Sequence, residues 1–181
     1  MKLLLHTCCA PCSIECIDAL KAENIEITAF WYNPNIHPYK EYQARKNGLE
    51  GYAKSIGLPL VVQDNYGLRE FITKLNDDFE HRCSTCYEMR FNETAKYASQ
   101  NNFDAFCSSL FISPYQNYEL MKEYAQKAAD KYGIAFYEYD FRPLFRKGQA
   151  RARELEIYMQ KYCGCVFSEE ERYLKEKVSI R

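Results

Sequence analysis

Lys2-Leu3-Leu4-Leu5-His6-Thr7-Cys8-Cys9-Ala10-Pro11-Cys12-Ser13 carries an apolar run into a polar loop, and Ile14, Ile17 and Leu20 follow at three-residue spacing. An apolar strand that turns directly into an amphipathic helix is the opening of a βα unit. Units that cradle phosphate carry GxGxxG or GxxxxGKS at this turn; here cysteines stand where the glycines would be. A phosphate-cradling glycine loop is therefore absent from the end of this first strand.

Working outward, the same alternation continues to the end of the chain. Strands are expected at Lys2 to Leu5, Glu26 to Tyr32, Leu60 to Gln63, Ala105 to Ser109 and Ala135 to Tyr139. Helices are expected near Ser13 to Ala22, Tyr39 to Ser55, Leu68 to Asn76, Ser84 to Ser99, Tyr118 to Lys131, Gln149 to Lys161 and Glu169 to Glu176. Such alternation implies right-handed crossovers and a mainly parallel sheet. The expected fold is an α/β, Rossmann-like, five-stranded mainly parallel sheet with helices on both faces and a helical C-terminal appendage over 141–181. Ligands of such sheets collect beyond the carboxyl ends of the strands, next to the first, which puts residues 6–12 where the chemistry belongs.

The 181 residues are 47% hydrophobic and 27% charged, with only 7 glycines and 6 prolines, which excludes a disordered tail, a collagen-like repeat and a membrane-embedded chain. A single domain over 1–181 is expected, without internal repeat or linker. The 24 basic residues are balanced by 25 acidic ones, so no global field draws the chain to nucleic acid, and such a partner needs a local patch. Leu3, Leu4 and Leu5 make too short a run for a signal-peptide core, and no stretch is long enough to span a bilayer. The expectation is a cytoplasmic protein without a membrane partner.

Nine cysteines are many for a compartment that keeps thiols reduced, and they call for metal or redox chemistry. Cys8 and Cys9 are adjacent and Cys12 follows; Cys83 and Cys86 form a Cys-x-x-Cys pair at a helix start, where the dipole favours thiolates. Two pairs make a four-thiolate site, open to a structural zinc, an iron–sulfur cluster or thiol–disulfide exchange. Cys12 suits a cluster, a second metal or the start of the helix. In Cys163-Gly164-Cys165 the glycine lets the backbone bend, and a disulfide so closely spaced would be strained and easily reduced. Cys16 and Cys107 read as small buried hydrophobes.

Arg142, Arg146, Lys147, Arg151 and Arg153, interleaved with Phe141 and Phe145, suit phosphate contacts and base stacking, although a solvated helix face has the same composition. Tyr115, Gln116 and Asn117 follow the fourth strand, placed to stack on and hydrogen-bond a heterocycle or simply to cap a helix. His37 and His81 are proton donors or ligands by type, and a lone histidine is more often structural.

Taken together, His6-Thr7-Cys8-Cys9-Ala10-Pro11-Cys12-Ser13, Asn33-Pro34-Asn35-Ile36 with Glu41-Tyr42 and Arg45-Lys46, Arg82-Cys83 with Cys86 and Arg90, Ser113-Pro114-Tyr115-Gln116-Asn117, Phe141-Arg142-Pro143 and Tyr162-Cys163-Gly164-Cys165 form a joint pattern. It resembles the QueH family of epoxyqueuosine reductases over nearly the whole chain. The resemblance implies an adenine nucleotide alpha hydrolase-like fold and cobalamin-independent reduction of epoxyqueuosine to queuosine at the tRNA wobble position. It further implies a [4Fe-4S] cluster on Cys8, Cys9, Cys83 and Cys86, and a redox-active Cys163/Cys165 pair beside it. A mononuclear iron, with Cys12 as first candidate ligand, and an electron donor of unknown identity complete the expectation. Tyr115, Gln116, Asn117, Arg142, Arg146, Lys147 and Arg151 are the expected substrate contacts. Two other readings are an ATP-dependent tRNA-thiolation-type enzyme, disfavoured because no Ser-Gly-Gly-x-Asp-Ser loop is present, and a zinc-stabilised RNA-binding module.

Overall fold

A computed structural model describes residues 1–174 of the chain. Five strands, β1 (Lys2–His6), β2 (Glu26–Trp31), β3 (Leu60–Val62), β4 (Ala105–Ser108) and β5 (Ala135–Phe136), form one sheet in the order β3-β2-β1-β4-β5. Every neighbouring pair is parallel. Leu3, Leu4 and Leu5 are wholly inaccessible, as the unbroken apolar run of β1 requires of a central strand covered on both faces. The edges are short, three residues in β3 and two in β5, which leaves little unpaired backbone for another chain to join.

The strand order dictates where the helices lie. From β1 the chain steps through α1 (Ala10–Ala22) to β2 and through α2 (Tyr39–Ser55) to β3. It then crosses β1, by way of α3 (Leu68–Leu75) and α4 (Arg82–Gln100), to β4, and proceeds through α5 (Tyr118–Tyr132) to β5. Crossovers between parallel strands are right-handed as a rule, so reversing direction moves the later helices to the opposite face. Accordingly α1 packs on α2 and α4 packs on α3 and α5. The appendage, α6 (Phe145–Glu154) and α7 (Val166–Tyr173), docks α6 against α1. The reversal leaves a crevice beyond the carboxyl ends of β1 and β4, where the chain exits into Thr7–Cys9 and into a 3-10 turn, Ser109–Ile112.

Several boundaries differ from the sequence expectation for local reasons. Helix α1 begins at Ala10, because Cys9 is extended (φ −174°, ψ 162°) and acts as N-cap, and Pro11 fits a first turn whose amides lack partners. Strand β5 stops at Phe136, opposite Phe106 of β4, and one further bond joins Tyr137 N to Phe106 O at 2.8 Å. The helix expected over Gln149 to Lys161 is replaced by α6, which starts at Phe145 and closes at Glu154. There Glu156 takes a left-handed conformation (φ 53°), Glu156 N donates to Arg153 O and Ile157 N donates to Ala152 O. That is a Schellman end built on glutamate instead of glycine, which the sequence does not signal. The last expected helix, Glu169 to Glu176, begins earlier, at Val166; residues 175 and 176 lie outside the described residues.

Candidate metal centre

The thiol sulfurs of Cys8, Cys9 and Cys12 all lie within 4.8 Å of one another, and Cys8 Sγ is 3.7 Å from Cys9 Sγ. The backbone produces this grouping. Cys8 sits in the loop after β1, Cys9 is the N-cap of α1 and Cys12 lies one turn on, so the two helix-borne side chains meet at the positive end of the helix. Ser109, at the exit of β4, accepts from Cys8 N at 3.4 Å and turns its hydroxyl to Cys8 Sγ at 3.9 Å. Gln160, from the appendage, donates its amide to Cys12 Sγ at 3.3 Å. Cys16 and Cys107 are fully buried beneath the group, and Cys16 donates to Cys12 O at 3.1 Å.

Hydrogen bonds from Cys12 and Cys9 hold the Cys8 thiol well below its usual pKa, with Arg90 assisting. Burial raises Cys9, while the bonds to Cys8 and Cys9, and burial, raise Cys12. A thiophilic cation entering the group therefore displaces protons from it. Beside it, His6 is buried, with Nδ1 2.9 Å from Ser108 Oγ and Nε2 3.2 Å from Tyr32 O. Burial and then Arg90 lower its pKa to about 3, so it is a neutral tie between β1, β2 and β4.

Around the triad opens a cavity of about 1100 Å³, large enough for a metal centre together with a nucleoside. Cys8, Cys12, Cys83, Cys163 and Cys165 all line it. Cys83 is exposed near the start of α4, and Cys86, one turn along, is buried. Burial raises both thiols, and both also feel the charges of Cys163 and Cys165, which places the two motifs together. All nine cysteines are free, Cys163 and Cys165 included. Of the expected cluster ligands, Cys8 and Cys9 stand in the tight triad with Cys12, whereas Cys83 and Cys86 lie outside that group, Cys83 on the wall of the same cavity.

The Cys163-Gly164-Cys165 loop is pinned by residues far away in the chain. Arg45, 2% exposed, donates through Nη1 to Cys163 O (2.8 Å) and through Nη2 to Tyr162 O (2.9 Å), while its Nε meets Glu41 Oε1 at 2.7 Å. Burial opposes its charge, but Cys9 and Glu41 more than offset that and raise its pKa. Glu41 also accepts from the Tyr158 hydroxyl. His37 N donates to Gly164 O at 2.7 Å, and Tyr162 Oη donates to His37 O at 2.7 Å. Gly164 has φ 149°, and a Cβ there would meet Ile36 Cγ1 at 3.2 Å, so the position requires glycine. His37 is thus a buried structural group; its Nε2 donates to Pro34 O at 3.0 Å.

The expected substrate residues divide into two sets. Tyr115 is 84% exposed on the cavity rim, with its ring edge-on to Phe145. The Gln116 amide bridges the Tyr87 hydroxyl and Cys163 Sγ, the latter at 3.0 Å. Asn117 caps α5, its Oδ1 accepting from Leu120 N at 3.1 Å. Arg142 pairs with Asp140 and lies over the Tyr118 ring. Lys147 and Arg151 converge on Glu15, which is only 2% exposed, and Arg151 also meets Asp18. Arg146 lines the rim with Arg153 and Lys161, and among the described residues these three have no carboxylate partner. Arg45, Arg90, Tyr87 and Gln160 owe their places to long-range contacts, which spacing along the chain does not signal.

Soft sulfur donors able to hold a metal, buried and gathered at the switch point of a doubly wound sheet, belong here to a protein of the Rossmann-like α/β class. The family model described as epoxyqueuosine reductase QueH matches residues 3–171. An epoxyqueuosine reductase QueH of Dehalococcoides mccartyi is 35% identical over 174 residues, covering 96% of each chain. Another, of Histophilus somni, is 39% identical over 179 residues, covering 92% of this chain and 72% of its own. A solved structure of a predicted subunit of tRNA methyltransferase from Methanocaldococcus jannaschii shares the fold, with TM-score 0.52 and 13% identity over 85% of this chain and 76% of that one. The chain belongs to the epoxyqueuosine reductase QueH family, and is an oxidoreductase of tRNA queuosine biosynthesis.

Proposed function

We propose that the chain reduces epoxyqueuosine at the wobble position of tRNA to queuosine, removing the epoxide oxygen as water at a metal centre on the cavity floor. The observation that carries this reading is the buried Cys8/Cys9/Cys12 group opening on a cavity that also holds Cys83, Cys163 and Cys165. Converting the epoxide to an alkene consumes two electrons and two protons and releases one water. In this reading Cys8, Cys9, Cys83 and Cys86 hold a [4Fe-4S] cluster, and Cys12 contributes to a second iron. Such a centre supplies single electrons and a Lewis acid for the oxygen.

The protein's own groups do the rest. Oxidation of the Cys163 and Cys165 thiols to a disulfide releases two electrons and two protons, which matches the demand of the substrate; the unidentified donor then restores the dithiol. Gln116, held by Tyr87, orients the Cys163 sulfur with an N–H donor. At the rim, Tyr115 offers a face for a base, and Arg146, Arg153 and Lys161 offer charges for phosphates. This supports entry of an anticodon loop from that side, in a chain in which no described helix is long and apolar enough to cross a membrane.

The test is protein prepared without air, assayed for iron, zinc and acid-labile sulfide, and incubated with reductant and epoxyqueuosine-containing tRNA. Nucleoside mass spectrometry should show queuosine. Cys163→Ser and Cys165→Ser should lose turnover and keep the iron; full activity in both removes the dithiol from the reaction. A second reading, a mononuclear ion on the triad, is favoured by one distance. The 3.7 Å between Cys8 and Cys9 sulfurs is close to the edge, about 3.8 Å, of a tetrahedron with ~2.3 Å metal–sulfur bonds. Metal without labile sulfide would establish it.

A further inference from the structure

Arg90 lies on α4 one turn beyond Cys86 and two beyond Cys83, on the helix face that carries both cysteines. Long side chains on a helix lean toward its N-terminus, so the guanidinium reaches back toward them. The residue is 1% exposed. Its Nε donates to Asn35 Oδ1 at 2.7 Å, but Nη2 is buried with no hydrogen-bond partner. Among the described residues no carboxylate comes within salt-bridge distance of it, in contrast to Arg45, which has Glu41.

A buried guanidinium with neither a paired anion nor a full set of acceptors is among the costliest groups a fold can carry. Such a group persists where an anion completes it. Nearby carboxylates do not do so, and the neighbouring histidines, His6 and His37, are neutral. What remains within reach of its field is sulfur, since the Arg90 charge acts on the thiols of Cys8, Cys86 and Cys163. These come from the loop after β1, from α4 and from the C-terminal loop, and Cys8 and Cys163 line the same cavity.

We propose that Arg90 is the fixed internal counter-charge of the thiolate-bound metal centre: a buried positioning residue that stabilises an anionic centre and raises its reduction potential. This rests on the reading that iron occupies the thiols. A centre ligated by several thiolates is a net anion and becomes more negative on reduction, so a nearby fixed cation favours the reduced form. The electron affinity of the site then depends on a residue that neither ligates the metal nor touches substrate.

The experiment compares wild type, Arg90→Gln and Arg90→Lys, all purified without air, by iron and sulfide content, circular dichroism, and a potentiometric titration followed by electron paramagnetic resonance. Arg90→Gln is expected to remain folded and to lower the reduced-to-oxidised ratio at a set potential at least tenfold, a shift of about 59 mV to lower potential for one electron. Arg90→Lys should recover most of that shift. If Arg90→Gln folds but does not retain iron while Arg90→Lys does, the need for the charge is likewise shown. A loaded Arg90→Gln with the wild-type ratio overturns the proposal, as does equal loss of iron from both folded variants. Wild-type protein without iron would overturn the metal reading and this inference with it; wild-type iron with an unmoved potential in Arg90→Gln overturns this inference alone.

Discussion

Arg45→Lys is the most informative perturbation of the loop that carries the dithiol. The native guanidinium makes three bonds at once, to Glu41 and to the carbonyls of Tyr162 and Cys163. A lysine ammonium keeps the charge beside Glu41, but as a single point it cannot span all three acceptors. Hydrogen bonds to charged groups contribute about 1.5–3 kcal/mol each, so forfeiting one carbonyl bond costs about that much and forfeiting both about twice it. The loss falls on the local equilibrium between docked and open loop, because the rest of the core is untouched. An increase of about tenfold to a hundredfold in the open population follows from the smaller figure. Cys165 reports it, being buried at the start of α7 in the docked state. Alkylation of Cys165, followed by peptide mass spectrometry under native conditions, should accelerate by that factor while the urea midpoint monitored in the core changes little. Alkylation at the wild-type rate in folded Arg45→Lys would refute the claim that Arg45 holds the loop.

Cys12→Ser should remove about one iron per chain and leave acid-labile sulfide intact, whereas Cys16→Ala should change neither, because Cys16 lies beneath the group; loss of sulfide in Cys12→Ser would instead put Cys12 in the cluster. Replacing Arg146, Arg153 and Lys161 by Ala should lower the slope of log affinity for tRNA against log salt by about one for each phosphate no longer neutralised, measured by filter binding. Arg151→Ala should leave that slope unchanged and destabilise the packing of α6 on α1, since Arg151 is engaged by Glu15 and Asp18. His37, its pKa lowered by burial to about 4, is neutral when folded, so the unfolded chain takes up the extra proton as pH falls from about 6.5. Its contribution to stability is complete above pH 6.5 and declines down to about pH 4, by about 3 kcal/mol in all. The His37→Gln variant should show a flatter urea-midpoint profile over that interval.

The sheet was legible because its signal is local. Leu3-Leu4-Leu5 reads as a strand buried on both faces, and strand–helix alternation with right-handed crossovers leaves few topologies open. Misplaced ends have equally local causes. Glu156 in a left-handed conformation ends α6 without the glycine that announces such an end, and an extended Cys9 starts α1 earlier than its apolar periodicity does. At the site, the cysteines were legible as types and spacings, and the rim aromatic Tyr115 as a position. The cations were not: Arg142, Lys147 and Arg151 are as basic in sequence as Arg146, yet each is held by an acidic partner, two of them by Glu15 across a separation of more than a hundred residues.

What the chain declares by itself is therefore an α/β order and an inventory of sulfur chemistry, because hydrophobic period and residue type act over a few positions. Which sulfurs share a cavity floor, which glutamine steadies which thiol and which arginine is left without an acid are decided in three dimensions. Gln160 reaches Cys12, and Arg45 reaches Cys163, only after the sheet has reversed its winding at β1 and the appendage has folded back over α1. Those contacts are set by where whole elements pack, and no nearby residue encodes them.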